Sequence, residues 1–240
     1  MRANHLAVLA GLALSLATGL AWATAQRPEI LLVDGKTYSL TTNPLGAWLQ
    51  AHPDRKLPQG SPVTSNWRGY TGTWEIEKGR LWLRKVSVEF NRNTADRPDL
   101  KFGDPPTPSR CKAKSDDYWD CDQTLDLFPD GGDILAGWYS GTLIVPTGEM
   151  VEYVHMGYGS TYSRYLVISV HKGEVTRQLD LDDKQFMALR RERFKAFQKT
   201  KLYQDQIAET RKQLGKNAED FMFSFYAEQY LSEDPESGVQ

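Results

Sequence analysis

The chain has 240 residues, 40% apolar and 11% aromatic, with 29 Lys and Arg against 31 Asp and Glu for a formal net charge of −2. That apolar content excludes an intrinsically disordered chain, and the near-neutral balance excludes the basic footprint of a nucleic-acid binder. Residues 1–25 read as a secretory signal peptide: Arg2, an apolar run from Leu6 to Leu20, then Ala23-Thr24-Ala25 as an A-x-A cleavage site that leaves Gln26 first. The apolar run is shorter than the ~20 residues that span a bilayer, and no later stretch approaches that length. The expected location is therefore periplasmic or secreted, with no transmembrane segment in the mature chain.

Residues 26–182 read as a β-rich core domain. Short alternating or β-branched runs reverse at glycines in four places: Ile30–Val33 into Lys36–Leu40 at Asp34-Gly35, Thr71–Glu77 into Leu81–Phe90 at Lys78-Gly79, Trp138–Val145 into Met150–Met156 near Thr147-Gly148, and Tyr165–Val170 into Val175–Leu181 at Lys172-Gly173. Four hairpins predict about eight antiparallel strands in a barrel-like or strongly curved sheet. Leu45–Ala51 is a short helical candidate between the first two hairpins. Tyr70, Gly72, Thr73 and Gly79 repeat at the spacing of Tyr139, Gly141, Thr142 and Gly148, the pattern of a duplicated hairpin or of chance.

The connection at about 91–133 carries five prolines, many aspartates and the chain's two cysteines, and is expected to lack regular structure. In an oxidising compartment Cys111 and Cys121 are expected to pair, for at most about 2.8 kcal/mol of chain-entropy stabilisation. Their spacing is too wide for a redox dithiol.

From 183 to 231 the apolar period becomes helical. Asp182-Asp183 cap a helix bearing Phe186, Leu189, Phe194 and Phe197, and Gly215 separates a last helix with Phe221, Met222, Phe225, Tyr226 and Tyr230. Residues 232–240 read as a flexible tail. Lys184 to Lys216 hold ten basic and three acidic residues, and Asn217 to Gln240 hold six acidic and no basic ones. The basic surface of Arg190, Arg191, Arg193 and Lys195 is read as a solvated face, as a helix lying over the chain's own acidic loop, or as a patch for an anionic surface or an acidic partner.

The polar segment Glu152–Tyr162 is the first site candidate. Tyr153, His155, Tyr158, Ser160 and Tyr162 are the expected binding residues; as a strand, it sets Tyr153 and His155 on one side and Glu152 on the other. His155 with Tyr153 or Glu152 is the weak catalytic candidate, because imidazole exchanges protons near neutrality. Ser160 lacks the G-x-S-x-G context of a nucleophile elbow. His52, His155 and His171 have no zinc spacing, and no cofactor is expected. Asp116, Asp120 and Asp122 are weak calcium candidates without the EF-hand pattern. The aromatic series Trp67, Tyr70, Trp74, Trp82, Tyr118, Trp119, Trp138 and Tyr139 fits cross-strand packing or, where exposed, sugar stacking.

Three segments, Gly69–Ile76, Trp138–Leu143 and Glu152–Ser160, together resemble a family of exported bacterial β-rich proteins with no assigned activity. The resemblance covers roughly residues 29–170. It implies a bacterial source and an extracytoplasmic place, and no chemistry. The expected function is a non-catalytic binding or interaction protein for an unknown protein or cell-envelope ligand, with an inhibitor or immunity-type protein among the candidates. The alternatives are a small periplasmic hydrolase using His155 and a carbohydrate- or lipid-binding β-barrel.

Overall fold

The structure, a computed structural model, describes residues 24–58, 60, 63–91 and 110–232. Most of the expected signal peptide, four of the five prolines of the 91–133 connection and residues 233–240 lie outside the described residues.

The fold is mainly β with a helical C-terminal region. In chain order the elements are β1 (Glu29–Val33), β2 (Lys36–Leu40), α1 (Leu45–Ala51), β3 (Thr71–Glu77), β4 (Arg80–Asn91), β5 (Cys111–Ala113), β6 (Tyr118–Asp122), α2 (Thr124–Leu127), β7 (Ile134–Leu135), β8 (Gly141–Pro146), β9 (Met150–Glu152), β10 (Thr161–Tyr162), β11 (Arg164–His171) and β12 (Glu174–Asp182). They continue with α3 (Asp183–Phe197), α4 (Lys201–Leu214), α5 (Ala218–Phe225) and α6 (Ala227–Tyr230). One sheet runs β2-β1-β3-β4-β12-β11-β8, with β6 and β7 also on β4 and β5 on β6; β9 and β10 form a separate ribbon.

Three of the expected reversals are tight two-residue turns. Asp34-Gly35, Lys78-Gly79 and Lys172-Gly173 have positive φ at both positions, the twist that joins antiparallel strands. The third expected hairpin does not form. β8 pairs with β11 and β9 pairs with β10, because the chain at Gly148 crosses against Ser163 and Arg164 instead of turning back on itself. A Cβ on Gly148 would stand 2.2 Å from the Ser163 hydroxyl oxygen.

The barrel-like expectation is corrected too. There are twelve strands among the described residues, β1 and β3 run parallel, and the sheet is not closed. It curves far enough that Thr41, just past β2, donates its backbone N–H to the Ile144 carbonyl of β8 at 3.0 Å. β12 meets β4 through the single pair Glu174↔Arg80, so two sub-sheets abut there at their turns.

The described part of the connection, residues 110–133, contains regular structure. Cys111 and Cys121 face each other across β5 and β6 with their sulfurs at bonding distance, 2.10 Å, and β6 extends the sheet along β4.

β8 and β11 separate two cores. Leu143, Val145, Ile168 and Val170 join the main core with Leu31, Leu83, Phe90 and the fully buried Trp74. Ile144, Tyr165 and Val167 point the other way, onto Phe186, Phe194, Phe197, Ile207, Met222 and Tyr230 of the helices. A strand covered on both faces reads as a continuous apolar run, as Leu143-Ile144-Val145 does. Asp182 starts α3 with a capping box, its carboxylate accepting the Gln185 N–H at 2.8 Å. No helix among the described residues is long and apolar enough to cross a membrane.

Candidate binding pocket

Where the second core opens to solvent, the curved sheet, the 150–162 ribbon and the C-terminal helices enclose a pocket of about 460 Å³. Ile144 and Pro146 supply the sheet wall, Met156, Tyr158 and Tyr162 the ribbon wall, and Phe186, Phe221 and Phe225 the helix wall. A smaller cleft of about 190 Å³ continues it past Tyr158, Ser160 and Tyr162 toward Met150 and Tyr153. A larger trough beside β1 is a weaker candidate, because most of its charges are already paired. Arg27 and Lys114 both pair with Glu89, and Lys85 pairs with Asp120 at 2.8 Å.

At the pocket's inner end sits a polar chain that no single segment announces. Glu228 of α6 accepts the Asn43 backbone N–H on both carboxylate oxygens at 3.1 Å. The Asn43 side-chain oxygen accepts from the Tyr158 hydroxyl at 3.1 Å, and Tyr158 in turn accepts from the Arg68 guanidinium. Arg68 lies 3.8 Å from the carboxylate of Glu29, which is fully buried and also accepts the Trp74 indole N–H. Burial pushes both carboxyls up to about 7 against the opposing pull of Arg68, Asn43 and Trp74. Burial likewise pushes the Tyr158 phenol up to about 12. Two acids poised near neutrality therefore flank one arginine, with Tyr158 carrying the network to the pocket surface.

The repeated Y-x-G-T pattern acquires a reason here. Tyr70 and Tyr139 are both buried around this network, with their phenols raised by burial. Gly72 leaves room for the carboxylate: a Cβ there would stand 2.7 Å from Glu29 Oε2 and 2.6 Å from the Trp74 nitrogen.

Of the expected binding residues, Tyr158, Ser160 and Tyr162 line the pocket and Tyr153 lines the adjoining cleft. His155 lines neither. β9 ends at Glu152, so Tyr153 and His155 stand in a loop, where the Tyr153 hydroxyl and His155 Nδ1 are 2.9 Å apart on an exposed face. Glu152 is exposed as well, and no carboxylate partners His155 among the described residues. Ser160 spends its hydroxyl on Val154, accepting that residue's N–H at 3.0 Å.

The basic surface is corrected at one position. Arg191 and Lys195 are exposed and Arg193 is half-buried, but Arg190 turns inward because it shares the helix face of Phe186, Phe194 and Phe197. Its Nε donates to the Tyr230 hydroxyl at 2.6 Å, one Nη donates to the Phe223 carbonyl, and the guanidinium lies 4.6 Å from the Phe223 ring. The calcium candidates are dispersed: Asp120 pairs with Lys85, and Asp122 accepts the N–H and hydroxyl of Thr124. No group of three or more His, Cys, Asp or Glu side chains among the described residues is placed to hold a metal ion.

Glu29, Asn43, Arg68 and Glu228 are the residues that sequence reasoning missed. Two of them had a signal. Glu29 is in phase with Leu31 and Val33 on an alternating strand, so its side chain belongs to the core face. Glu228 follows Phe221 and Phe225 at helical spacing, within the aromatic stripe. A comparison with known protein families, curated proteins and solved structures finds no match to the chain.

Proposed function

We propose that this protein is an extracytoplasmic, non-catalytic binding protein that takes a largely apolar ligand in the pocket between the ribbon and the C-terminal helices. The observation that carries this reading is the pocket itself, walled by aromatic and aliphatic side chains with a few polar groups converging on it, the ordinary make-up of a small-molecule site. Its rim supports the same reading. Trp67 is 65% exposed, and Met150, Tyr153 and Met156 are exposed too, an apolar surface that is costly unless something covers it part of the time. No histidine lines the pocket, and the Ser160 hydroxyl is engaged with backbone. The paired cysteines fit an oxidising compartment.

Titration with the fluorescent probe N-phenyl-1-naphthylamine tests the reading. Saturable, one-to-one binding is expected, and it should be lost in Ser224→Trp, which places a large side chain in the pocket from an exposed position. Absent or non-saturating binding, or binding that Ser224→Trp leaves unchanged, would overturn it.

A further inference from the structure

Arg190 is a permanent cation in the wall of an apolar pocket, and no carboxylate lies within ion-pairing distance of it among the described residues. Its Nε and one terminal nitrogen are engaged by Tyr230, Phe223 and Ser224. The other terminal nitrogen, Nη1, meets only the Met187 sulfur at 3.9 Å. Three rings, Phe186, Phe223 and Tyr230, hold the guanidinium within 5.8 Å of their centres and fix its place. Such ring contacts offset part of the cost of desolvating a cation but supply no counter-charge.

The neighbouring ribbon wall carries a free hydroxyl. Tyr162 lines the pocket, and its phenol oxygen has no hydrogen-bond partner among the described residues. It is tied to Arg190 through a continuous stack. Tyr162 packs edge-on to Tyr165, Tyr165 stacks on Phe186 at 3.9 Å, and Arg190 lies over Phe186. The pocket's other charged side chain, Glu228, is already supplied with a donor by Asn43. Among its apolar walls the pocket therefore holds one cation without a counter-charge and one carboxyl that already has a donor.

From this we infer that the ligand is an amphipathic monocarboxylate, whose head group accepts from Arg190 Nη1 and the Tyr162 hydroxyl and whose apolar body lies along Ile144, Met156, Phe221 and Phe225. The inference rests on the binding reading above and adds the sign and place of the head group. Guanidinium and carboxylate match in geometry, and a charge-assisted hydrogen bond in a dry pocket is stronger than one between neutral groups.

Three probes with one chain and different heads separate the outcomes: dodecanoate, dodecanol and dodecylamine, each titrated by calorimetry below the concentration at which it aggregates. Dodecanoate is expected to bind about tenfold or more tightly than dodecanol, and dodecylamine weakest. Arg190→Gln should abolish the carboxylate's advantage while leaving dodecanol binding. Because Arg190 also holds Tyr230 and the Phe223 carbonyl, Tyr162→Phe is the second variant. It removes only an unpartnered hydroxyl and should reduce the dodecanoate preference several-fold without changing dodecanol affinity, and it decides the matter if Arg190→Gln does not fold. Equal binding of all three probes, tightest binding of the amine, or a preference untouched by the variant read would overturn the head-group assignment and leave the pocket reading standing. No binding of any probe would overturn both.

Discussion

Asn43 and Glu228, 185 residues apart, are joined where one backbone N–H meets both oxygens of one carboxylate at 3.1 Å. That contact ties the connection after the first hairpin to the last helix, and so ties the main core to the helical layer across the floor of the pocket. It also places a titratable group where movement of α6 would alter the pocket, with Glu29 at the far end of the same chain through Arg68 and Tyr158.

Stability should fall as pH rises through neutrality because of Glu29. Its carboxyl in the folded protein is raised from 4.5 to about 7, so between those values the folded state keeps a proton that the unfolded chain has released. Its contribution is fully present below pH 4.5 and lost as pH rises through about 7, with a span on the order of 3 kcal/mol. Urea unfolding of Glu29→Gln at about pH 5 and about pH 8 should show a flatter dependence than the parent. An equal slope in both would remove Glu29 as the source.

Gly72→Ala should destabilise the fold by about 1–3 kcal/mol, since the added methyl meets the Trp74 nitrogen and the Glu29 carboxylate at 2.6 and 2.7 Å inside the core. Denaturant midpoints measure the loss, and near-ultraviolet dichroism should register the displaced indole. A change below about 0.5 kcal/mol would mean that the carboxylate moves aside freely.

Reduction of the Cys111–Cys121 pair should lower stability by about 2–3 kcal/mol, the chain-entropy value for so short a loop. The unreduced protein should show no reactive thiol under denaturant, as no free cysteine is present. One or two reactive thiols there would place the protein in a reducing compartment.

The helical layer should loosen in Thr142→Val. Thr142 is buried on β8, and its hydroxyl donates to the Leu231 carbonyl at the end of α6 at 2.8 Å. Leaving that carbonyl unpaired should cost about 1–3 kcal/mol. It should also speed proteolytic cutting near residues 226–232 relative to the β core; uniform cutting rates would argue that α6 is held elsewhere.

Much of the architecture was already written in local pattern. Asp34-Gly35, Lys78-Gly79 and Lys172-Gly173 are turns because two adjacent residues there take positive φ, a demand made and met within four residues of chain. Asp182 begins α3 because its capping partner is three residues away. The cysteines pair because they oppose each other on adjacent short strands. What failed was anything that depended on a distant partner. Gly148 looks like a fourth turn from its neighbours alone, and only the approach of Ser163 and Arg164 makes it a crossing point. Arg190 belongs to a basic run by composition, and only the rings of Phe186, Phe223 and Tyr230 make it a pocket wall. The strand phase of Glu29 and the helical spacing of Glu228 point inward, but only the fold sets Arg68 and Asn43 beside them. Turn and cap preferences are short-range and survive in any context, whereas burial and pairing of charge are properties of the space between segments, which exists only once the sheet has curved and the helices have closed over it.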